Sequence, residues 1–370
     1  MNRICVLNSS KKVHLSTRNG FIELCRFIFA MCIVSHHFLL LPTQSEHYPL
    51  IGGYIGVEFF FILSGYFLYA AAINDVSDQV SVIQVVKRLK KIFPYFVVSW
   101  FFGFTISIAR THCNILRVCW NLIVGIPQLL LLSMTGMANG EGAANDYVGT
   151  GWYLSALMLA MLIAYPVMHY FRKRFAGLWA PLFAIFVYGY FMIVNNNVGV
   201  VNQHTICYLG VLRALAGLSM GSFCYWIAQT IQLQYGGSLS KFGDIIISVI
   251  QIILVTLSLI LMEWYIGHND TLQIILFSCL IVLSMSFDTS VNRFFTNSTS
   301  LFLGRFSIAI FLSQSMTYMY GILQYPDDWR LRYITHIGYV LVASVIVYFS
   351  VEMLKHFSIG QKIRHLMFKK

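Results

Sequence analysis

Residues 21–41 read FIELCRFIFAMCIVSHHFLLL, an apolar run as long as a membrane-crossing helix, which needs about 20 residues. Runs of this kind recur along the chain, so that 58% of its 370 residues are hydrophobic and only 11% are charged. Soluble domains carry about 25% charged residues, and this chain has too few polar side chains to cover a soluble core. Helices satisfy their own backbone hydrogen bonds in lipid. The sequence therefore predicts an all-α bundle of transmembrane helices, with residues 1–370 forming one integral-membrane domain.

Eleven apolar runs are candidates for spans, and they lie at 21–42, 51–73, 92–110, 119–135, 151–171, 176–194, 205–229, 243–265, 271–287, 300–322 and 336–354. The positive-inside rule tests this number, because lysine and arginine collect in cytoplasmic loops. Basic clusters occur at 1–20, 74–91, 172–174 and 355–370. Eleven crossings would put the last two clusters outside the cytoplasm, whereas ten crossings put all four inside.

The run at 119–135 is the weakest candidate, because it is short and carries Pro127 near its middle. Proline removes a backbone donor and disrupts a helix interior. The sequence therefore predicts ten spans, with residues 111–135 re-entrant, interfacial or packed inside the bundle. The basic N-terminus at 1–20 and the basic tail at 355–370 are then both cytoplasmic.

The formal charge of +11 is carried by short segments between apolar runs, which is typical of loops that face anionic lipid. No aromatic-plus-basic motif for RNA is present, so the predicted partner is the bilayer and not nucleic acid. The eight cysteines form no CxxC pair and lie mostly in apolar runs. We interpret them as small buried hydrophobic residues, and we predict neither a metal site nor a disulfide framework.

Charged groups inside a membrane cost about 2.5–3.5 kcal/mol on insertion scales, so those present indicate where chemistry takes place. Arg26 and His37 are eleven positions apart in the first span, which places them on one helix face about 16 Å apart along the axis. His36 points about 80° away from that face, and Glu23 lies one turn before Arg26, where it can pair with it. We place His37, Arg26 and Glu58 of the second span in the candidate catalytic set. The alternatives are a hydrogen-bonded core histidine and a structural pairing of Glu58.

Three further polar or aromatic side chains are candidates for binding substrate. Ser64 lies near the middle of the second span, where a small residue also allows close helix packing. Trp152 and Tyr153 open the fifth candidate run, where they can line an acceptor site or belong to the interfacial aromatic belt. The basic segment RLKKIFPYF at 88–96 is either a positive-inside anchor or a site for an anionic cofactor.

Four landmarks, in this order along the chain, resemble the acyltransferase-3 family of integral-membrane acyltransferases, which includes O-antigen and exopolysaccharide acetylases. The R-x10-H spacing of the first span is similar to the family's R/K-x10-H signature, and GVEFFFILSGYFL at 56–68 resembles its G-V-(D/E)-x-F-F-x-x-S-G-(F/Y) motif. Arg88 and Lys91 resemble its R-x-x-R-I-x-P element, with lysine in place of the second arginine. WYLSALMLA at 152–160 resembles its W-x-(L/I)-S segment.

The chain departs from the family pattern near its end. LGRFSIAIFLSQSM at 303–316 resembles an L-G-x-x-S-x-x-x-Y-L-x-H stretch, but Phe311 replaces the tyrosine and Gln314 replaces the usual histidine. A role of that histidine therefore does not carry over to this chain.

The resemblance implies an acyl-CoA donor, usually acetyl-CoA, bound from the cytoplasmic side of a bacterial inner or plasma membrane. The implied acceptor is a hydroxyl of a glycan or glycolipid precursor. His37 is implied as general base or acyl-transfer residue, and Arg26, Arg88 and Lys91 as cations that bind the donor or organise the site. A histidine of near-neutral pKa suits the removal of a hydroxyl proton.

Other functions remain open at the level of sequence. A succinyl group can replace the acetyl group, and a glycan exporter without chemistry would share the intramembrane charges. The absence of a convincing internal repeat disfavours a transporter of the inverted-repeat type. A structural subunit of a polysaccharide synthase is a third hypothesis. Binding of CoA would distinguish the enzyme from the exporter.

Overall fold

A computed structural model describes residues 19–38, 48–75, 80–111, 114–137, 146–199, 207–236, 239–264, 269–315 and 325–367. These residues are almost entirely helical and contain no β-strand, which confirms the predicted all-α bundle. Most of the N-terminal segment 1–20 and the loop around Glu141, which the predicted topology places on opposite sides of the membrane, lie outside the described residues. Their placement stays a prediction.

The helices are α1 (Gly20–His37), α2 (Gly56–Asn74), α3 (Val80–Thr111), α4 (Ile115–Leu129), α5 (Gly151–Arg174), α6 (Ala180–Asn195), α7 (Leu209–Tyr235), α8 (Lys241–Glu263), α9 (Asp270–Ser286), α10 (Ser290–Phe295), α11 (Ser298–Ser313) and α12 (Trp329–Met367). A 3₁₀ turn at Gly53–Ile55 leads into α2, and a π-helical turn at Phe175–Trp179 joins α5 to α6. The bundle core is built from the apolar faces of these helices.

Local signals in the sequence set the start of α1. The Asn19 side chain accepts hydrogen bonds from the backbone N–H groups of Phe21 and Ile22, at 3.1 Å each, and so satisfies two of the free donors at the helix start. Its amide also donates to the Ser284 carbonyl oxygen at 2.8 Å. The same residue thus caps α1 and fastens its beginning to the end of α9.

Long helices alternate in direction through the bundle. We call the end that contains Asn19, Ala72 and Glu352 the basal end, and the opposite end, with Tyr54 and Asp270, the distal end. α1, α3, α6, α8 and α11 run from basal to distal, and α2, α5, α7, α9 and α12 run back. α1 therefore begins, and α12 ends, at the same end of the bundle.

The segment between α3 and α5 begins and ends at the distal end, because α3 runs to that end and α5 starts from it. α4 lies in this segment and is tied to the start of α5: Gln128 donates to the Val148 carbonyl oxygen at 3.1 Å, and the Tyr147 hydroxyl donates to the Asn121 carbonyl oxygen at 3.2 Å. Much of its apolar surface, including Trp120, is exposed on the outside of the bundle. These contacts are those of a helix that packs against the outside of the bundle, and whether residues 111–135 are re-entrant or interfacial stays a prediction.

Seven stretches of the described residues are long and apolar enough to cross a membrane, and one of them, 151–195, contains both α5 and α6. α4, α9 and α11 are apolar but only 15–17 residues long. The chain is therefore a multi-pass helical membrane protein. The number of ten crossings and the cytoplasmic placement of both termini stay predictions.

The chain reverses direction near Arg172, which has a left-handed backbone conformation with φ of 41°. This reversal brings the basic cluster at 172–174 to the basal end, where Lys91 and Lys355 also lie. Three basic segments thus share one end of the bundle, as the positive-inside rule requires for a cytoplasmic face.

Glycines bring α2 and α7 into close contact. A Cβ atom added at Gly65 would lie 2.2 Å from the Leu218 carbonyl oxygen, and one at Gly221 would lie 2.0 Å from that of Ile62. Small residues of this kind let membrane helices approach through their backbones. The Ser-Gly pair of the second span therefore has a packing role at Gly65, which leaves the role of Ser64 to its polar contacts.

Candidate functional site

A cavity of about 1530 Å³ lies at the basal end between α1, α2, α3, α5, α7, α11 and α12. Cations predominate among the charged residues of its wall. The basic residues that line it are Arg26, Lys87, Arg88, Lys90, Lys91, Arg305 and Lys355, and the acidic residues are Glu23 and Glu352. An excess of cations in a concave site raises the local concentration of anionic ligands.

α1 contributes Arg26 to this wall in the way the sequence predicts. Its guanidinium donates to Glu23 at 2.8 Å, which confirms the predicted pair one turn apart, and its side chain is 21% exposed. Glu23 in turn packs against Gly304 of α11, where a Cβ atom would lie 2.0 Å from the carboxylate. The glycine of the LGRFS stretch is thus required for α1 and α11 to pack beside the ion pair.

α3 contributes the largest group of cations. It begins at Val80, twelve residues earlier than the apolar run suggested, so the basic segment lies inside a long helix. Lys87, Lys90 and Lys91 are exposed at the cavity mouth, whereas Arg88 is half-buried.

Arg88 has a hydrogen bond on only one side of its guanidinium. Nη2 donates to the Ser64 hydroxyl oxygen at 2.6 Å, while the buried Nε–H finds no hydrogen-bond partner among the described residues. Buried polar groups in proteins are almost always hydrogen-bonded, so this Nε–H is an exception within the described residues. The structure thus brings Arg88 and Ser64 together, and Arg26 and Lys91 line the same cavity.

An aromatic wall closes the inner part of the cavity. Phe60, Tyr153 and Phe311 all line it, with the ring of Phe311 centred 5.1 Å from Tyr153 and 6.4 Å from Phe60. The cavity therefore changes from cationic at its mouth to apolar and aromatic inside. Tyr153, one of the predicted substrate-binding residues, belongs to this inner wall.

His37 lies one helical turn beyond this wall, at the distal end of α1. Its Nδ1 is 2.9 Å from Oε1 of Gln314, which directly follows α11 and comes three residues after Phe311. The ring of His36 is centred 5.6 Å away and makes its own hydrogen bond, of 2.7 Å, to the Ile51 carbonyl oxygen. His37 and Arg26 thus share the face of α1 as predicted, but Arg26 lies in the cavity and His37 lies behind its aromatic wall.

Glu58 lies in a buried network on the same side as His37. Its carboxylate pairs with Arg213 of α7 and accepts a 2.5 Å hydrogen bond from the Tyr188 hydroxyl. The Arg213 guanidinium also lies over the ring of Trp152, 5.6 Å from its centre. Trp152 is 7% exposed and packs inside this network, whereas its neighbour Tyr153 reaches the cavity.

A second carboxylate, Asp270, extends this network. Both of its oxygens lie 2.8 Å from the Tyr54 hydroxyl, and one accepts from the backbone N–H of Val198 at 2.8 Å. Arg213, the partner of Glu58, also donates to the Tyr54 carbonyl oxygen at 3.2 Å. Arg213 and Tyr54 therefore link the carboxylates of Glu58 and Asp270. Arg213 was not among the predicted site residues, although an arginine inside the apolar run LGVLRALAG is a signal of the same kind as Arg26.

Metal-ligating side chains are not grouped in the part of the chain that the structure describes. No set of three or more His, Cys, Asp or Glu residues there is arranged to hold a metal ion. The described cysteines, among them Cys25 and Cys224, are free thiols.

Apolar helices long enough to cross a membrane, with a cation-lined cavity among them, define the class as a helical membrane protein. The family model of the acyltransferase domain matches residues 19–353, and the chain belongs to the acyltransferase-3 family. It is thus a membrane acyltransferase. No curated protein and no solved structure matches the chain.

The predicted site residues fall into two groups in the structure. Five line the basal cavity or touch its wall, and these are Arg26, Ser64, Arg88, Lys91 and Tyr153. The others, His37, Glu58 and Trp152, lie deeper and are held by Gln314 and Arg213. Their roles in binding and catalysis stay predictions.

Proposed function

We propose that this protein transfers an acyl group, in the first place acetyl, from acyl-CoA to a hydroxyl of a cell-surface glycan or glycolipid precursor. The cationic cavity is the donor site in this proposal, and the basal end is the cytoplasmic face of a bacterial inner or plasma membrane. The observation that carries the proposal is the half-buried Arg88, which lines a cavity together with six further cations.

The size and polarity of the cavity suit a long, polyanionic donor. Ligand sites commonly enclose about 300–1,000 Å³, and this cavity measures about 1530 Å³. CoA carries its phosphates on the nucleotide half and its thioester at the end of an extended arm. We place the phosphates among the lysines of the mouth and Arg88, because arginine binds phosphate through paired N–H groups. The thioester then lies towards Tyr153 and Phe311.

The reaction that fits this placement is a direct transfer. The acceptor hydroxyl loses its proton to His37 as its oxygen attacks the thioester carbonyl carbon. A carbon–oxygen bond forms and the carbon–sulfur bond breaks, and His37 returns the proton to the leaving sulfur. The products are an ester and CoA with a free thiol. General-base catalysis of this kind contributes about 10²–10⁴ in rate.

The acceptor is proposed to approach from the distal end, opposite to the donor. Tyr153 can present its ring to a sugar, and we assign substrate contact to Tyr153 and a supporting position to Trp152, because Trp152 is enclosed by Arg213. Ser64 holds Arg88 in place in this scheme. Two substrates that enter from opposite ends would let an acyl group made in the cytoplasm modify a glycan outside it.

The proposal is tested by the binding of acetyl-CoA to the purified protein in detergent, measured by calorimetry. We expect micromolar affinity for the wild type and a loss of roughly 15- to 700-fold in the Arg88→Ala/Lys91→Ala variant. The variant removes a half-buried charge-assisted contact of about 1.5–3 kcal/mol and an exposed contact of about 0.2–1 kcal/mol. Desulfo-CoA should bind with similar affinity, since the phosphates provide most of the contacts.

The matched control is Lys173→Ala/Arg174→Ala, which removes two exposed cations from the same end of the bundle without touching the cavity. Its affinity for acetyl-CoA should equal that of the wild type. Vesicles of anionic phospholipid serve as competitor, because a lipid headgroup offers the same phosphate chemistry. Binding of the anionic vesicles without any binding of CoA would contradict the donor assignment. The same measurement with succinyl-CoA in place of acetyl-CoA shows which acyl group is preferred.

A further inference from the structure

The Gln314 side chain has a fixed orientation at the end of α11. Its Nε2 donates to the Phe311 carbonyl oxygen at 2.9 Å, and its Oε1 faces His37. With the amide reversed, its oxygen would face the Phe311 carbonyl oxygen, and two acceptors would oppose each other. The hydrogen-bond network therefore decides which atom of Gln314 meets the histidine.

An amide oxygen accepts hydrogen bonds and cannot donate one. The 2.9 Å contact between His37 Nδ1 and Gln314 Oε1 therefore requires the proton to be on Nδ1. A neutral imidazole carries only one ring proton, so Nε2 is then the unprotonated ring nitrogen and the basic one. We propose that Gln314 is a positioning residue that sets the tautomer of His37, so that Nε2 is the atom that takes the proton of the acceptor hydroxyl.

The surroundings of Gln314 make this arrangement rigid. The Phe311 carbonyl oxygen also accepts from the Thr150 hydroxyl at 2.9 Å, so both of its lone pairs are engaged. Thr150 precedes α5, and Phe311 belongs to the inner wall of the cavity. Gln314 is 0% exposed. The residues that hold the His37 ring are thus attached to Phe311, which belongs to the wall against which we place the thioester.

The chemistry of this pair differs from that of a histidine held by a carboxylate. Gln314 offers a dipole and no charge, so it orients the neutral imidazole without strongly stabilising the imidazolium. The titratable groups that face His37 are His36 on α1 and His336 on α12. Each ring donates to a backbone carbonyl oxygen, that of Ile51 and that of Val34 respectively.

This inference rests on the proposed function, but its first test does not need acyl transfer. The ring nitrogens of ¹⁵N-histidine-labelled protein report the tautomer by NMR, and the His37→Ala variant identifies the His37 signals. We expect a protonated Nδ1 and an unprotonated Nε2 in the wild type, and a mixture of tautomers in Gln314→Leu. A protonated Nε2 in the neutral wild type would overturn the assignment.

The second test uses the kinetics of acyl transfer. Gln314→Leu should lower kcat by about 10- to 100-fold, a part of the contribution of the general base, with the KM for the donor changed less than about twofold. Gln314→Glu should move the acid limb of the kcat profile to higher pH, because a carboxylate stabilises the protonated ring. A purely structural role would alter stability and leave the position of this limb unchanged.

The matched control is Gln273→Glu, which puts a carboxylate at another buried glutamine, one that donates to the Ser258 carbonyl oxygen on α8. Its pH profile should equal that of the wild type. An identical shift in both variants would overturn the inference. A spectrum with protonated Nδ1 in a protein that transfers no acyl group would contradict the proposed function instead, and would leave the orientation of His37 confirmed.

Discussion

The basal and distal ends of the bundle differ in how their charged side chains are paired. At the basal end, cations outnumber carboxylates in the cavity wall, and Arg88 keeps a buried N–H without a partner in the described structure. At the distal end, Glu58 is bound by Arg213, and Asp270 by Tyr54. Unbalanced charge beside a cavity prepares a site for a ligand, while balanced charge inside the packing holds groups in place. Substitutions at the basal end should therefore weaken donor binding, and substitutions at the distal end should lower turnover or stability.

Removal of the histidine tests the distal end most directly. His37→Ala should lower acyl transfer by about 10²–10⁴-fold, because the general base is lost, while the Kd for acetyl-CoA changes less than about twofold, because His37 lies behind the cavity wall. Turnover and calorimetric binding on the same preparation measure both effects. His169→Ala, a buried histidine that bonds the Ala72 carbonyl oxygen at the basal end, is the control and should retain turnover. A large loss of donor affinity in His37→Ala would show that the distal end also takes part in donor binding.

The buried ion pair should determine stability more than donor binding. Arg213→Ala leaves Glu58 buried without its cation, and loss of one member of such a pair costs about 3–5 kcal/mol. We expect a clear fall in the Tm of the detergent-solubilised protein. Arg213→Leu combined with Glu58→Gln should recover much of it, since both charges are then absent. If the double variant is no more stable than Arg213→Ala, the pair is not the source of the effect.

Local contacts of the site could be predicted from the sequence, and contacts between helices could not. The Glu23–Arg26 pair and the shared face of Arg26 and His37 follow from helical periodicity alone. The partner of Glu58 comes from α7, and it is chosen by the close packing that Gly65 permits. No pattern within the second span contains that information.

Contacts between helices also separate the two aromatic residues at the start of α5, which the sequence could not predict. Trp152 and Tyr153 are adjacent in sequence and were grouped together, yet about 100° of rotation separates them on a helix. Tyr153 consequently reaches the cavity and Trp152 packs under Arg213. The all-helical class was similarly readable from hydropathy, whereas the early start of α3 at Val80 was not, because the basic stretch KRLKK at 87–91 separates residues 80–86 from the apolar run.

The fork of N–H groups on Arg88 gives a finer test of the basal end. Arg88→Lys keeps the charge but loses the planar geometry that bonds Ser64 and a phosphate together. We expect the Kd for acetyl-CoA to rise about tenfold, which corresponds to one charge-assisted hydrogen bond, with little change in kcat at saturating donor. Ser64→Ala should produce a smaller rise of the same kind. Equal affinity of Arg88→Lys and wild type would show that charge alone accounts for the site.

The exposed lysines of the cavity mouth should have the smallest effect and the strongest dependence on salt. Lys90 is exposed, so water and ions screen its interaction with a phosphate, and exposed pairs contribute about 0.2–1 kcal/mol. Lys90→Gln should raise the Kd for acetyl-CoA about two- to fourfold at low ionic strength. The difference should vanish near 1 M salt, where the Debye length is about 3 Å. The effect of Arg88→Ala should persist at that salt concentration, because half-buried charges are screened less. If salt removes both effects equally, Arg88 acts as part of a diffuse cationic surface, and the donor site has no buried anchor.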